Sequence, residues 1–568
     1  TQTDYADYEI SPINLQLLKS LLENRKIKKI AHNAVFDMKW LKHIMGIEVR
    51  GLCFDTIVAP YILPMGRGMV ALKDLTAEFT DLGHYENELL QALGKDKLDA
   101  EVFKLAPYSI LSKYACTDAD ATFRLYEHFS RDFDERVTDL MKLYVKTLPA
   151  IVDMELAGWV LKGVNKTKKK FEKIMADIEE ELRNFKSVRR YQKYLDENCK
   201  VLKNGTKKIV PINFNSPPQL ATILVQYEGV PITQKTEGGK VSTSQPTLRE
   251  YENLLCEKLI EYSVIEKSVS TYTTGYKEHL SDDGLLRTHY LYTSTESMRL
   301  SSRDVNIQNI SKQNKYGEQI RNQFRAPEGL TIIEGDFSGE ELRLFACYAE
   351  EEKMLDAFNN GIDLHTLTAS GLYDIPFDKV TKDQRFFGKT FNFSGLYGAG
   401  PDRMRETILK GGVRISFEDA KTLYKKFFLL YPGIRKYHRT IERFVDRHGY
   451  IDTRFGLRRY FPNLHSMEDW EKGFVYRAAY NHPIQGTSAG ILFEALIRVK
   501  KALRKTDGRL LATVHDSILI YAPDDEVEYY AKLLKETMED YSYDWQPLHI
   551  PVDVKAGKSW GSLESVEV

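Results

Sequence analysis

The sequence contains little cysteine and almost no net charge. Its five cysteines among 568 residues are scattered, without the paired spacing of zinc ligands. They fit reduced, mostly buried thiols in a cytosol-like compartment rather than a disulfide framework. The formal net charge of −1 gives no sign of an overall basic nucleic-acid-binding protein. A large enzyme can still hold its positive charge on one face, so this excludes only a uniformly basic surface.

Long apolar runs are also missing. No stretch approaches the length of a membrane-spanning helix, and no secretory signal opens the sequence. We therefore expect no membrane partner and a cytoplasmic, reducing location. The first residue is Thr1 rather than Met, so we expect the natural N-terminus to lie outside this sequence. At 568 residues, with 42% hydrophobic and 28% charged residues, the composition predicts several ordinary globular domains.

The most informative segment begins at Arg385 and reads RFFGKTFNFSGLYG. Arg385, Lys389, Phe393 and Tyr397 recur every four residues, so a helix would place them along one face. Two cations followed by two aromatic rings suit a nucleotide, because cations can bind a polyphosphate and rings can contact a sugar and a base. The alternative interpretation is an amphipathic helix with a basic rim.

Two aspartates are placed beside apolar strands. The run 330–336 predicts a buried strand that ends in Asp336, and Asp516 lies between apolar runs at 510–514 and 517–521. A buried carboxylate needs a partner or a cation. One interpretation is that Asp336 caps the helix predicted after it. The other is that both carboxylates meet at the middle of a sheet and hold two Mg²⁺ ions.

In order along the chain, these segments resemble the motifs of family A DNA polymerases, the group of bacterial DNA polymerase I and many phage replicases. DFSGEELR from Asp336 is similar to the first palm motif, the segment from Arg385 to the fingers-helix motif, and Val514-His515-Asp516 to the second palm motif. The other matching segments are RLSS from Arg299, NIQNI from Asn306, DLHT from Asp363 and RAAYNHPIQG from Arg477. The resemblance covers the chain from about residue 20 to the C-terminus.

The resemblance implies a role for each matched residue. Asp336 and Asp516 would be the catalytic carboxylates that hold two Mg²⁺ ions, and Glu341 would exclude a ribose 2′-hydroxyl. The incoming dNTP would be bound by His365, Arg385 and Lys389 at its triphosphate, by Phe393 at its sugar and by Tyr397 near the templating position. Residues facing the minor groove of a primer–template would be Arg299, Asn306, Gln308, Arg477, Asn481, Gln485 and His515. A phenylalanine at 393 implies poor use of dideoxynucleotides.

The sequence departs from the family pattern at several positions. Ser517 stands where a glutamate is usual, which removes a carboxylate beside Asp516 and is expected to alter metal affinity. Gly339 and Glu340 replace a Gln-Ile pair, Met298 replaces a glycine, and Gly490 replaces an aspartate. These departures indicate a phage or another lineage distant from the best-known bacterial members.

The N-terminal part resembles the family's 3′–5′ exonuclease domain. Asn33-Ala-Val-Phe-Asp37 and Tyr114-Ala-Cys-Thr-Asp118 match its second and third motifs, with Phe54-Asp55-Thr56 between them. The first motif, an Asp-x-Glu on an opening strand, is missing, and Asp4, Asp7 and Glu9 follow no apolar strand. Either the domain is degenerate or the beginning of the chain is absent from this sequence; we favour the second. Proofreading by the chain as given is therefore doubtful.

The sequence thus predicts an α/β multidomain chain, a right-hand polymerase of palm, fingers and thumb preceded by an RNase H-like exonuclease domain. The predicted domains are exonuclease-like 1–145, thumb 146–285, palm 286–350, fingers 351–480 and palm 481–568. We expect a monomer that binds primer–template DNA and dNTPs, with lysine-rich thumb helices along the duplex backbone. The rival interpretations are a catalytically inactive or nuclease-only DNA-binding protein on the same fold; an RNA template also stays open.

Overall fold

The computed structural model describes residues 11–64, 70–98, 103, 105–199, 210–236, 238–310, 315–410 and 415–568. The acidic residues Asp4, Asp7 and Glu9, which the sequence made poor candidates for the first exonuclease motif, lie outside the described residues. All five cysteines are free thiols. Among the described helices, none combines the length and apolar character needed to cross a membrane.

The helices in the first half of the chain lie mainly in the segments predicted as exonuclease-like and thumb. They are α1 Pro12–Leu22, α2 Ala34–Met45, α3 Ala59–Ile62, α4 Leu72–Phe79, α5 Asn87–Leu93, α6 Tyr108–Phe129, α7 Glu135–Ala157, α8 Val164–Asn184, α9 Lys186–Glu197, α10 Pro217–Thr222, α11 Gln245–Leu248, α12 Leu254–Val269 and α13 Tyr276–Glu278.

The helices in the second half include the longest helix of the described chain. They are α14 Gly317–Arg321, α15 Glu340–Ala349, α16 Glu352–Asn359, α17 Leu364–Tyr373, α18 Lys382–Leu396, α19 Pro401–Lys410, α20 Phe417–Leu430, α21 Pro432–His448, α22 Asp469–Ala502 and α23 Val527–Glu539. Three predicted domain boundaries fall inside single elements: 145/146 in α7, 285/286 in β4 and 480/481 in α22.

The strands are short except for four in the predicted palm. They are β1 Lys29–Ala31, β2 Leu52–Asp55, β3 Trp159–Leu161, β4 Leu285–Leu286, β5 His289–Leu291, β6 Ser301–Arg303, β7 Phe324–Arg325, β8 Leu330–Phe337, β9 Tyr450–Asp452, β10 Arg458–Tyr460, β11 Arg509–Val514, β12 Ser517–Pro523, β13 Val552–Gly557 and β14 Glu564–Ser565.

A five-stranded antiparallel sheet of order β11-β12-β8-β13-β14 organises the palm segment. Its central strand β8 is apolar along most of its length and is covered on both faces. Ile333 belongs to one hydrophobic cluster and Ile332 to another, so successive residues point into different cores. Gly335 allows α23 to lie against the sheet, because a Cβ there would come within 2.7 Å of the Met538 Sδ.

The predicted exonuclease-like segment is built around the parallel pair β1 and β2. Helix α7 packs against β2 of this pair and against β11 of the palm sheet, and therefore connects the two parts of the molecule. Asp55, at the end of β2, is fully buried and accepts hydrogen bonds from the backbone N–H groups of Asn33 and Ala34 and from the Tyr292 hydroxyl. These hydrogen bonds fix the end of β2 to the start of α2 and to Tyr292 of the predicted palm.

Helices α17 and α18 cross closely in the fingers segment because α18 has a glycine at the contact. A Cβ on Gly388 would overlap the His365 carbonyl oxygen and lie 3.0 Å from the Ala369 nitrogen. These are backbone atoms, which cannot move aside as a flexible side chain does. The crossing therefore fixes the position of α18 relative to His365.

A side chain at position 388 should disturb this crossing. We expect Gly388→Ala to lower the free energy of unfolding by about 1–3 kcal/mol through overpacking, although alanine has the higher helix propensity. Gly400→Ala is the matched control, because no atom lies within 4 Å of a Cβ there. Urea unfolding of both variants measures the difference. Equal stability of the two variants would contradict the close crossing.

Several predicted elements are confirmed. The Arg385 segment is helical, and α18 runs from Lys382 to Leu396, so Tyr397 lies just past its end. The strands that flank Asp516 are β11 and β12, and the strand that reaches Asp336 is β8. The alternative that Asp336 caps a helix is wrong: the residue before α15 is Gly339, which has a left-handed backbone with φ 63°.

Candidate active site

The two predicted catalytic aspartates lie at neighbouring positions of the palm sheet, one near the end of a strand and the other in a turn. Asp336 is near the end of β8, where it pairs in register with Ser517 of β12, and Asp516 occupies the two-residue turn between β11 and β12. The Phe337 N–H donates to the Asp516 carbonyl oxygen at 3.3 Å, which joins the two segments directly. The sheet therefore brings together two carboxylates that are 180 residues apart in sequence.

The turn that carries Asp516 contains a residue with an unusual backbone. His515 has φ 60°, in the left-handed region that residues other than glycine seldom adopt. The Ser517 hydroxyl donates to the Val514 carbonyl oxygen at 2.9 Å, and the Thr513 hydroxyl donates to the Ser517 carbonyl oxygen at 2.8 Å. The turn is held by its own hydrogen bonds, and Ser517 contributes to them rather than adding a carboxylate.

Glu340 lies beside the two aspartates, a placement that the sequence did not predict. Its side chain is buried, and its Oε2 accepts a hydrogen bond from the Ser488 hydroxyl at 2.7 Å. Its Oε1 is buried without a hydrogen-bond partner in the described chain. Burial raises the pKa of this carboxyl well above its usual range, and the charges of Asp516 and Asp336 raise it further. The one signal in the sequence was a charged residue at a position of α15 that faces the interior of the protein.

Glu341 is held by two residues that the sequence assigned to different parts of the site. Arg299 donates to its Oε1, and the Tyr397 hydroxyl donates to its Oε2. The C-terminal end of α18 is thereby joined to the palm helix α15. Glu341 is thus held in position, and Arg299 forms an ion pair with this carboxylate.

The two predicted cations of α18 have different surroundings. Arg385 donates two hydrogen bonds to Asp363, at 3.0 and 2.7 Å. Burial alone would raise the pKa of Asp363, but hydrogen bonds from Arg385 and Thr366 outweigh it and lower the pKa to about 2. Lys389 is exposed and has no ion-pair partner within the residues that the structure describes. Lys389 is therefore the available cation of the pair.

His365 lies beside the same helix and is held in one orientation. Its Nδ1 accepts a hydrogen bond from the Asn392 side-chain amide at 3.0 Å, which leaves the proton on Nε2. Burial lowers its pKa to about 4, Asp363 opposes this shift, and Arg385 and Lys389 add to it. The ring of Phe393 is 6.0 Å from the His365 ring. His365 is thus a neutral donor near Lys389 and Phe393.

The long helix α22 presents the predicted Arg477, Asn481 and Gln485 on one face. All three are exposed or partly exposed, although most other residues from 479 to 496 are buried. The Oδ1 atom of Asn481 has no hydrogen-bond partner in the described part of the chain. Gly398, next to Tyr397, lies against this helix: a Cβ there would be 2.7 Å from Tyr480 and 3.4 Å from Arg477.

Two of the other predicted DNA-facing residues have structural contacts. The Asn306 Oδ1 accepts hydrogen bonds from the Ser302 hydroxyl and the Asn309 N–H, each at 3.1 Å. Gln308 is buried, and its amide donates to the Thr513 carbonyl oxygen at 3.5 Å, beside the turn with His515. Gln308 therefore lies near the Asp516 turn, whereas the Asn306 side chain shapes its own loop.

The donor set near Asp336 fits hard divalent cations. Carboxylate oxygens are the ligands that Mg²⁺ prefers, and Asp336, Asp516 and Glu340 supply them. The buried Oε1 of Glu340 is a polar atom without a hydrogen-bond partner in the described chain. Among the described residues, however, no group of three or more acidic, histidine or cysteine side chains is arranged to hold a metal ion.

The exonuclease-like residues are brought together around a lysine. Asp37 is on α2, and Tyr114 and Asp118 share one face of α6, as predicted. Lys73 and the Tyr85 hydroxyl both donate to Asp118, and the Lys73 ammonium lies 4.3 Å from the centre of the Tyr114 ring. Burial and the charge of Asp118 raise the pKa of Asp37. An ammonium therefore neutralises Asp118, the aspartate of the segment that resembles the third exonuclease motif.

The structure shows the surroundings of two departures from the family pattern. Met298 has φ 63°, a conformation that suits glycine, and its N–H donates to the Tyr61 hydroxyl at 3.0 Å. Gly490 makes room for the Phe455 ring, which any Cβ at this position would overlap. The usual aspartate could not occupy position 490 unless Phe455 moved.

Comparisons with known proteins give two family matches. The model described as DNA polymerase family A matches residues 185–562, and the model described as 3′-5′ exonuclease matches residues 2–134. The sequence is 31% identical to the DNA polymerase I of Chloroflexus aurantiacus over 563 residues, which cover 96% of this chain and 56% of that protein. It is 28% identical to the DNA polymerase I of Pseudomonas aeruginosa over 556 residues, 96% of this chain and 57% of that protein.

A solved structure is similar over almost the whole chain. It is the POL domain of Pol1 from M. smegmatis in complex with DNA primer-template and dNTP, with a TM-score of 0.78 and 26% sequence identity. The match covers 98% of this chain and 90% of that one. The chain spans little more than half the length of the curated DNA polymerase I relatives that match along 96% of it.

Proposed function

The chain belongs to DNA polymerase family A, and we propose that it is a template-directed DNA polymerase that adds dNTPs to a primer 3′-hydroxyl. Its fold is the predicted one, an α/β multidomain chain with a right-hand polymerase preceded by an RNase H-like exonuclease domain. The observation that carries the proposal is the joining of Asp336, on β8, to the β11–β12 turn that holds Asp516, with α18 nearby. Extension of a labelled primer tests it.

The proposed reaction is an in-line displacement at the α-phosphorus of the dNTP. A bond forms between the primer 3′-oxygen and this phosphorus, the bond to the bridging oxygen of the β-phosphate breaks, and pyrophosphate leaves with the bonding electron pair. The hydroxyl proton passes to solvent. Two Mg²⁺ ions, when bound, would activate the 3′-hydroxyl and stabilise the leaving pyrophosphate. Asp336 and Asp516 would hold them, with Glu340 as a third carboxylate.

The fingers residues would bind the triphosphate and the sugar. Lys389 supplies a cation that has no ion-pair partner among the described residues, and the neutral His365 supplies an Nε2–H donor for a phosphate oxygen. Arg385 would exchange its bonds to Asp363 for bonds to the triphosphate. Phe393 would pack on the sugar, and Tyr397 would lie near the templating position. The exposed lysines at the start of α8, such as Lys169 and Lys170, support binding of duplex phosphates by the thumb, which should weaken as salt rises.

Glu341 would select the sugar by occupying the space of a ribose 2′-hydroxyl. Because Arg299 and Tyr397 hold this carboxylate, it cannot easily turn away from a ribonucleotide. We expect Glu341→Ala to reduce discrimination between dNTPs and rNTPs roughly 10- to 200-fold. Glu341→Gln should retain it, because the amide fills the same volume. Single-nucleotide kcat/KM values measure the ratio; an unchanged ratio in the alanine variant would show that Glu341 does not touch the sugar.

Glu340, whose pKa is raised by burial, would lose its proton as a cation binds and would then add its negative charge to the site. We expect Glu340→Gln, which can keep the hydrogen bond to Ser488, to weaken divalent-cation binding about tenfold. Binding of Mn²⁺ in the presence of primer–template, followed by electron paramagnetic resonance, measures this without turnover. Ser488→Ala is the matched control, because it removes the hydrogen bond and leaves the charge. Unchanged Mn²⁺ affinity in Glu340→Gln would show that Glu340 does not contribute to cation binding.

Proofreading by this chain is not part of the proposal, because Lys73 and Tyr85 already occupy Asp118. We propose a monomer that acts on primer–template DNA and dNTPs in a reducing, cytoplasmic compartment. The five free thiols support the reducing compartment. The solved relative's primer-template and dNTP support the two ligands.

A further inference from the structure

The DNA-facing stripe of α22 continues beyond the residues that the sequence singled out. Each helical residue advances by about 100° around the axis, so Trp470, Phe474, Arg477, Asn481 and Gln485 fall within an arc of about 80°. Trp470 is 76% exposed and Phe474 is 68% exposed, although both are large apolar side chains. The N-terminal end of the stripe is therefore a pair of uncovered aromatic rings one turn apart.

The order of contacts along α22 locates these rings relative to the catalytic centre. Ser488 contacts Glu340 beside the catalytic aspartates. Arg477 lies against Gly398, which follows Tyr397 just past the C-terminal end of α18. From Arg477 the helix continues for about 4 Å to Phe474 and about 10 Å to Trp470, at 1.5 Å per residue. On the proposed function, the stripe therefore passes from the catalytic centre to the templating position and then beyond it.

The strand that lies beyond the templating position is the template that has not yet been copied. Its bases are unpaired, and unpaired bases stack on exposed aromatic rings with little dependence on sequence. The spacing of one helical turn between Phe474 and Trp470 suits contact with neighbouring nucleotides. We propose that Trp470 and Phe474 form a stacking platform for the first unpaired template bases.

The charges around the rings favour stacking over phosphate binding. Glu468 and Glu471 form a capping box at the start of α22, and Asp469 is exposed with Lys472 4.0 Å away. These acidic residues do not attract a phosphate backbone. Arg477 is the cation of this end of the stripe, with its guanidinium 5.9 Å from the Phe474 ring. Binding at the platform should thus depend on the rings and respond little to salt.

The experiment compares two primer–templates that differ only in the length of the unpaired template, one nucleotide or six. Fluorescence anisotropy without dNTP gives the affinity of the full chain for each, and the ratio of the two affinities is the readout. We expect a ratio of roughly ten in the unmodified chain. The affinity ratio should fall towards one in the double variant Trp470→Ala/Phe474→Ala. The single variant Trp470→Phe, which keeps two aromatic rings, should retain part of the ratio. In the unmodified chain the ratio should remain at higher salt.

Tyr529→Ala is the matched control, because Tyr529 is a 55% exposed aromatic residue on α23; its ratio should equal that of the unmodified chain. A double variant that keeps the full ratio overturns the platform. An equal loss of affinity for both primer–templates also overturns it, because the rings would then contact the duplex. A dimer that dissociates in the double variant overturns it too, because the rings would then contact a second copy of the chain. If the unmodified chain extends primers but binds both primer–templates equally well, only the platform is contradicted. If the unmodified chain does not extend primers, the proposed function is contradicted.

Discussion

Asp516→Asn should reduce primer extension about 10³-fold or more. The substitution keeps the size of the side chain but removes the charge that would hold a divalent cation at the reacting phosphate. A cation at that position supplies several kcal/mol of transition-state stabilisation, and about 4 kcal/mol corresponds to this factor. Single-turnover incorporation of one correct dNTP measures the loss directly.

The fold should survive this change, since asparagine is well suited to a two-residue turn. We expect the thermal unfolding midpoint and the affinity for primer–template to stay close to those of the unmodified chain. Asp525→Asn is the matched control, because Asp525 is an exposed residue just after β12, at the other end of the same strand. Incorporation within tenfold of the unmodified rate in Asp516→Asn would show that catalysis does not depend on this carboxylate.

Lys389→Ala should lower kcat/KM for dNTPs roughly 10²- to 10³-fold. Lys389 is exposed on α18 without an ion-pair partner in the described chain, whereas Arg385 is bound to Asp363 by two hydrogen bonds. We therefore expect the charge of Lys389 to be the first to meet the triphosphate. Its loss should appear both in the dNTP affinity and in the rate of incorporation, which pre-steady-state kinetics at several dNTP concentrations separates.

Lys379→Ala provides the control for net charge, because Lys379 is an exposed lysine in the turn before α18. It should change kcat/KM less than twofold. If Lys389→Ala and Lys379→Ala behaved alike, the triphosphate would not be bound on this face of α18. An effect on primer–template affinity instead of dNTP affinity would assign Lys389 to the nucleic acid.

The sequence predicted those parts of the site that depend on local pattern. The four-residue repeat of α18 and the apolar runs around Asp516 and before Asp336 each follow from the periodicity of one element, and the structure has these elements where they were expected. The resemblance to a family supplied the roles. Neither source of information gives the partners that the side chains take when no ligand is bound.

Contacts between distant segments could not be read from the sequence. Glu340 looked like a simple departure from the family pattern, but the packing of α15 against α22 buries it beside the aspartates and Ser488. The pairing of Arg385 with Asp363 depends on how α17 crosses α18. Lys73 was not predicted to neutralise Asp118, because the two residues are 45 positions apart and no motif joins them.

The central claim is tested most directly by extension of a labelled primer on a DNA template with Mg²⁺ and four dNTPs. We predict products that reach the end of the template and follow its sequence, with no extension by Asp336→Ala and little by rNTPs. Absence of extension by the unmodified chain, extension that ignores the template, or full activity in Asp336→Ala would contradict the account.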